Sequence, residues 1–393
     1  MLRMESIFPA RAEISRSALT HNFQNIKERL EGQQVMAIVK ADAYGHGLAE
    51  AARVFIAAGA DYLGVAQLEE ALHLARELEA DPGAATPIFS WIYAPGDDLR
   101  EAISRGIELS VGTAWALEAV SDAAQELRAR GVGPARVHIA IDSGMTREGF
   151  GLKELSEHRE RIAELVARGL IEVVGLWSHL ACADAVDSEG KVDSDPTAAQ
   201  LSRFNQAREM LASVGCQPAA VHLAASGGTL WQPAARFSMV RPGIVLYGIS
   251  PNPQIATASE LGLRAAMTLK ARIVADRITE EEAGVSYGHT RRVAKGTHLG
   301  IVPLGYADGI PRAASNKVSV LVNGKPCPMV GRVCMDQFMV ELPAGVGAGS
   351  EAVLFGDAST GALTADDWGA ASGSIGYEIP TRLGPRVPRV YCD

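Results

Sequence analysis

Through its first two-thirds the chain alternates short apolar runs with stretches in which apolar residues recur at helical spacing. The runs are Val35–Val39, Tyr62–Ala66, Pro87–Tyr93, Ile107–Val111, Val137–Ile141, Val173–Trp177, Val221–Ala225 and Met239–Leu246. Between them Leu19, Phe23, Ile26 and Leu30 share one helical face, as do Ala71, Leu74, Ala75 and Leu78, and Leu201, Phe204, Leu211 and Val214. Eight strand–helix units of this size predict an α/β fold, an N-terminal TIM-like (β/α)8 barrel. Ile107–Val111 is short, and Met239–Leu246 contains Pro242-Gly243 and includes a strand-to-helix turn. A doubly wound sheet is therefore the alternative architecture.

From about Leu263 the texture changes. Met267, Leu269, Ala271 and Ile273 alternate with polar neighbours, as do Val318, Val320 and Val322 before the hairpin signal Asn323-Gly324. Helical periodicity nearly vanishes, so the expected division is a barrel over 1–262 and a smaller all-β domain over 263–393. The acidic, polar stretch Asp184–Thr197 reads as an exposed loop.

A chain of 393 residues with net charge −9 and no basic stripe does not suit nucleic acid. Its five cysteines (Cys182, Cys216, Cys327, Cys334, Cys392) include no CxxC pair, which argues against a disulfide framework or a zinc site. The start Met1-Leu2-Arg3-Met4-Glu5 has no signal-like apolar region, and no run reaches membrane-spanning length. The expectation is a soluble, cytoplasmic protein without a membrane partner or a bound metal.

One stretch carries the chemistry. The apolar run Val35–Val39 stops at Lys40, and a polar turn through Tyr44-Gly45-His46-Gly47 precedes a helical pattern from Leu48. That puts an ammonium at the C-terminal end of a barrel strand, where barrel enzymes carry reacting groups. Beside a Tyr and a His, Lys40 is a candidate Schiff-base lysine; the plainer alternative is a strand cap paired with Asp42. If Lys40 binds a cofactor such as pyridoxal phosphate, the loops after strands seven and eight should hold its phosphate. Those loops are Ala225-Ser226-Gly227-Gly228-Thr229 and Arg241-Pro242-Gly243-Ile244. Arg241 ends the eighth run, where a guanidinium needs a partner. His179 ends the sixth run and His222 begins the seventh; each alone fits an ordinary barrel-layer histidine. Tyr44, Tyr287 and Tyr306 sit in glycine-flanked segments.

Together these residues resemble the alanine racemase family, two-domain pyridoxal-phosphate enzymes of fold type III. The resemblance spans nearly the whole chain through Val39–Gly47, Asp142–Arg147, Ser178-His179, His222–Ser226, Val240–Gly248, Val285–Gly288, Gly305–Gly309, Gly331–Gln337 and Gly376–Ile379. It implies interconversion of L- and D-alanine by two bases, Lys40 and Tyr287, with D-alanine going to peptidoglycan precursors. Tyr287 would come from the second subunit of a homodimer. The resemblance implies that His222 hydrogen-bonds Tyr287 and is backed by Arg241, which also faces the pyridine nitrogen, and that His179 packs on the cofactor ring. Tyr44, Ser226, the Gly243 and Ile244 amides and Tyr377 would hold the phosphate. Arg147 and the Met335 amide would position the substrate carboxylate, and Tyr306 and Asp336 would line the entrance.

The chain departs from the family pattern on the substrate side. Ala140 stands where many members carry a lysine that orients the carboxylate-binding arginine. Ala225 replaces an asparagine, and Gly227-Gly228 a pair of small residues, usually alanines. Thr146 and Glu148 flank Arg147, where Glu148 is placed to compete for the guanidinium; Arg291 stands where an aromatic is common. The alternatives to an alanine racemase are a racemase preferring serine or a broad range, a decarboxylase of the same fold type, a pyridoxal-phosphate carrier, and a weakly active cofactor-binding homologue.

Overall fold

The computed structural model describes residues 9–81 and 85–393, so the stretch Met1–Glu5 lies outside the described residues. A first strand, β1 (Ala10–Ser15), leads into the helix Arg16–Lys27. Eight parallel strands then close a barrel in chain order: β2 (Gln34–Ile38), β3 (Tyr62–Gln67), β4 (Ile88–Ile92), β5 (Glu108–Val111), β6 (Ala135–Ala140), β7 (Ile171–Trp177), β8 (Ala220–His222) and β9 (Met239–Val240). Each of the eight apolar runs overlaps one of these strands. The short and proline-bearing runs are the two that left the doubly wound alternative open. Here β5 pairs on both sides, and β9 pairs with β2, Val35 opposite Val240, which seals the barrel. Beyond β9, Pro242-Gly243 ends the strand and Ile244–Tyr247 forms a 3-10 turn.

The runs are continuous rather than alternating because barrel strands are covered on both faces. Val35, Met36, Ala37 and Ile38 of β2 are all buried, and so are all four residues of β5. The helices present the apolar faces their spacing predicts: Leu19, Phe23 and Ile26 in Arg16–Lys27, and Ala71, Leu74 and Leu78 in Leu68–Leu78. Glycine at two barrel positions leaves room for neighbouring side chains. A Cβ on Gly64 would lie 2.5 Å from Ile38 Cδ1, and one on Gly175 would lie 1.9 Å from His138 Nδ1.

The second domain is mostly strand. Its principal sheet has nine strands, among them β10 (Met267–Arg272). β1 pairs antiparallel with β10 and parallel with Arg389–Cys392, so the first and last strands of the chain lie side by side at one edge. The first strand thus precedes the barrel in sequence but belongs to the second sheet. Asn323 and Gly324 form the expected hairpin turn, with φ of 49° and 74°. The stretch read as an exposed loop, Asp184–Thr197, gives way to a helix at Asp195, with Pro196 in its first turn where no N–H is needed. No helix among the described residues is long and apolar enough to cross a membrane.

Within the second domain the helix Ala365–Ser372 interrupts the strand pattern. Thr364 and Asp367 form a capping box, Asp367 N donating to Thr364 Oγ1 at 3.1 Å and Thr364 N to Asp367 Oδ2 at 2.7 Å. The helix anchors Trp368, which is 1% exposed and donates its indole N–H to Leu354 O at 2.7 Å. Trp368→Ala removes a large core side chain and orphans that carbonyl, so we expect a loss of about 3–5 kcal/mol of stability. Chemical denaturation with tryptophan fluorescence and far-UV circular dichroism checks this; a loss under about 1 kcal/mol would mean the helix is not a core element.

Candidate active site

The carboxyl ends of the barrel strands surround a cavity of about 510 Å³ lined by Lys40, Tyr44, Arg147, His179, Ser226, Arg241, Gly243, Ile244 and Tyr377. Nine sequence-predicted residues from distant parts of the chain therefore meet in one place. Trp91, Glu148, Trp177 and Asp184 also line it. Lys40 Nζ lies 5.7 Å from the centroid of the Trp91 ring. Burial, then the neighbouring Arg147, lower the Lys40 pKa from its ordinary 10.5; Arg241 adds to this, while Glu70 and Glu148 oppose it.

The backbone after Lys40 is strained. Ala41, Asp42, Ala43 and Tyr44 have φ of 54°, 53°, 53° and 52°, one turn of left-handed helix built from non-glycine residues. Each such residue costs about 1–2 kcal/mol, and the turn persists because its surroundings over-determine it. Ala41 N donates to Glu70 Oε1 at 2.6 Å and Leu48 N to Asp42 Oδ1 at 2.7 Å. Arg389 Nε donates to Gly45 O at 2.9 Å, and Tyr391 Oη to His46 O at 3.1 Å, so the last strand of the chain also grips it. Asp42 therefore caps the following helix, and no salt bridge joins it to Lys40 among the described residues. His46, expected beside Lys40, is turned away. Its Nδ1 bonds Ala43 O and Tyr44 O, and its ring packs 4.6 Å from that of Tyr247.

The left-handed turn aims Tyr44 at Gly243. A Cβ on Gly243 would lie 2.3 Å from the Tyr44 hydroxyl, so only glycine leaves the phenol its place. Burial raises the pKa values of Tyr44 and Tyr377 well above the phenol range, keeping both as donors. Gly243 N donates to Ser226 Oγ at 2.9 Å, joining the two loops predicted to flank a phosphate. At this end of the cavity, phenols, a hydroxyl and backbone amides meet, the donor set an oxyanion requires. Asp184, a carboxyl that also lines the cavity, has a pKa raised by burial.

Arg241, two residues before Gly243, is buried. One terminal nitrogen donates to His222 Nδ1 at 2.9 Å; the other reaches Ser178 O at 2.8 Å and His179 Nδ1 at 3.2 Å. Burial pulls its pKa down to about 9, which leaves it charged at neutral pH. Burial, then Arg241, holds His179 and His222 well below the usual histidine range, so both are neutral acceptors. One expectation is corrected here. His222 cannot hydrogen-bond Tyr287: its Nδ1 accepts from Arg241 and its Nε2 meets His138 Nδ1 at 2.8 Å, deep in the barrel. The histidine at the cavity wall beside Arg241 is His179.

Arg147 pairs with Glu148, Nε to Oε1 at 3.1 Å, so the competition anticipated from the sequence is realised. Tyr287, Tyr306 and Met335 do not reach the cavity of their own chain; they are 70%, 45% and 54% exposed. Ser286 Oγ donates to Arg332 O at 2.7 Å, and Tyr306 N to Cys334 O at 3.0 Å, which gathers these loops on one surface. Asp336 is tied to Arg386 at 2.8 Å.

Sequence reasoning missed Trp91 and, beneath the cavity, Glu108 and His138. His138 Nε2 lies 2.6 Å from Glu108 Oε2, both with no exposed side chain. A carboxylate inside the apolar run Ile107–Val111 was the available signal.

Residues 14–251 match the alanine racemase N-terminal domain, and residues 266–391 its C-terminal domain. The chain is 45% identical to the alanine racemase of Streptomyces coelicolor over 99% of this chain and 97% of that one. It is 43% identical to that of Thermobifida fusca over 97% and 98%. The crystal structure of alanine racemase from D-cycloserine-producing Streptomyces lavendulae superposes with a TM-score of 0.92 at 41% identity, covering 99% of this chain and 98% of that one. Gly243→Ala displaces Tyr44 from the oxyanion end and should weaken the binding of a phosphate-bearing ligand there roughly 10-fold, about 1.4 kcal/mol. Fluorescence titration measures it; unchanged affinity would remove the Tyr44–Gly243 contact from the site.

Proposed function

Because the chain belongs to the alanine racemase family, we propose that it interconverts L- and D-alanine with pyridoxal phosphate, using Lys40 and Tyr287 as opposed bases. The observation that carries this is a single cavity holding a lysine of lowered pKa, a cluster of neutral hydroxyl donors and a buried arginine. The residues fit the cofactor: the Tyr44, Tyr377 and Ser226 hydroxyls and the Ile244 amide suit its phosphate, and Lys40 its aldehyde. When bound, pyridoxal phosphate supplies the electron-withdrawing ring that acidifies the α-hydrogen of an amino acid.

The protein's own groups then divide the work. Arg241 would face the ring nitrogen as a donor only, since a guanidinium has no acceptor. His179 would pack against the ring. Arg147, only loosely held by Glu148, takes the substrate carboxylate together with the Met335 amide of a second copy. Lys40 Nζ removes or returns the α-proton on one face, and Tyr287 Oη of the second copy serves the other. A single base returns a proton to the face it left, whereas two bases on opposite faces permit inversion. The exposure of Tyr287, Tyr306 and Met335 on one surface supports a homodimer with shared sites, Tyr306 and Asp336 forming the entrance. Glu148 on the cavity wall favours, as a second reading, a wider range that includes serine, whose hydroxyl a carboxylate accepts.

Incubation with pyridoxal phosphate and L-alanine in deuterium oxide should give loss of optical rotation together with α-deuterium exchange. Exchange without loss of rotation would refute the Tyr287 role, and serine turnover above alanine would refute the alanine assignment. Lys40→Ala and Tyr287→Phe, each at least about 100-fold impaired, should regain part of the activity when mixed. No recovery despite formation of hybrid dimers would refute the shared site.

A further inference from the structure

The buried Arg241 is the top of a chain of polar groups that runs down through the barrel core. Arg241 donates to His222 Nδ1 at 2.9 Å; His222 Nε2 meets His138 Nδ1 at 2.8 Å; His138 Nε2 meets Glu108 Oε2 at 2.6 Å. Glu108 Oε1 then receives Arg136 at 2.7 Å, at the rim where the strands begin. His138, His222 and Glu108 are wholly buried. Phe89 packs 4.4 Å from the His138 ring, and Trp177 stacks on His222 at 6.2 Å. Gly175 lacks the Cβ that would strike His138 Nδ1. The barrel wall is thus shaped around these rings.

Donor chemistry fixes every proton in the chain. A guanidinium only donates, so His222 Nδ1 must accept. Neutral His222 then carries its proton on Nε2 and donates to His138 Nδ1. His138 in turn carries its proton on Nε2 and donates to Glu108. Protonating either ring would set N–H against N–H. Burial would raise the Glu108 pKa, but the bonds from His138 and Arg136 outweigh it and leave the carboxylate anionic, while burial lowers that of His138.

We propose that Glu108 and His138 are positioning residues for Arg241, imposing the donor direction that keeps His222 an acceptor and the guanidinium held in one orientation under the cavity. The role at the cofactor ring rests on the function proposed above; the proton arrangement does not. Glu108 is suited to this because a carboxylate accepts at both ends, from His138 and from Arg136. A glutamine there can satisfy Arg136, which only donates, solely with its oxygen, and that turns its NH2 to His138. The chain then reverses: His138 protonates on Nδ1, His222 Nε2 accepts, and His222 Nδ1–H confronts Arg241.

The test is long-range proton–nitrogen NMR of protein with nitrogen-labelled histidine, which needs no turnover. In the wild type, His138 and His222 should both be neutral Nε2–H tautomers from about pH 6 to 9. A charged ring or an Nδ1–H tautomer at either position overturns the proposal even if Glu108→Gln does not fold. In folded Glu108→Gln the His138 tautomer should switch, and kcat for racemisation should fall about 10- to 100-fold with little change in KM. Removing the competing donor in Glu108→Gln/Arg136→Met lets the amide oxygen return to His138, restoring the tautomers and most of kcat. Unswitched tautomers in Glu108→Gln, or a folded double variant as impaired as the single one, overturns the proposal. Correct tautomers in a protein that racemises nothing would count against the proposed function alone.

Discussion

A guanidinium buried in a barrel core, bonded to no carboxylate among the described residues, constrains the rest of this molecule. Isolated burial of such a charge is prohibitive, and a side chain that keeps its proton at neutral pH has to be satisfied by acceptors. Arg241 finds two neutral imidazoles and the carbonyl of Ser178. Neutral acceptors leave the positive charge standing at the cavity wall, whereas an adjacent carboxylate would cancel it. The compensating anion, Glu108, lies two histidines away. The strands must therefore admit two imidazoles in single file, which accounts for Gly175 on β7 and for the aromatic sheath of Phe89 and Trp177.

The second constraint is the left-handed turn after Lys40. Four non-glycine residues with positive φ form no stable structure by themselves. This turn is held from below by Glu70 on the barrel side and from above by Arg389 and Tyr391 of the last strand. That strand lies beside β1, which leads directly into the barrel. The second domain thus secures the lysine-bearing loop as well as presenting Tyr287. A loop fixed from both domains keeps Lys40, Tyr44 and Gly243 in mutual register, which a single flexible βα connection would not.

Much of this was legible because burial on both faces of a strand leaves an unmistakable apolar run, and all eight runs became strands. The cavity residues were legible because barrel topology brings every strand end to one rim, so that Lys40, Arg147, His179, Ser226, Arg241 and Gly243 converge from distant positions. The partner of His222 was not legible: a strand-end histidine can point to the rim or to the axis, and only three-dimensional packing decides which. Glu108 and His138 were hidden for a related reason. Each is a polar residue set in an apolar run, and their meaning appears only when β5, β6, β8 and β9 are set around a common axis. The turn after Lys40 was read as a polar connection, since nothing in Ala-Asp-Ala-Tyr announces positive φ in the absence of glycine.

The substrate side follows a different logic from the cofactor side. Arg241 is encased and its orientation is over-determined, whereas Arg147 is nearly half exposed and is held by its sequence neighbour Glu148. An ion pair between adjacent, solvent-washed residues is weak and screened, so Arg147 has freedom that Arg241 lacks. On the proposed reading this division is functional. The ring must be held in one place for both proton transfers, while the carboxylate site has to accept either enantiomer through the same guanidinium. A rigid Arg147 would favour the hand of alanine it fitted better. A compliant one, beside a fixed ring, lets the two hands bind with more nearly equal KM and turn over with more nearly equal kcat, while kcat/KM is the same for both in any case because enantiomers are equal in free energy.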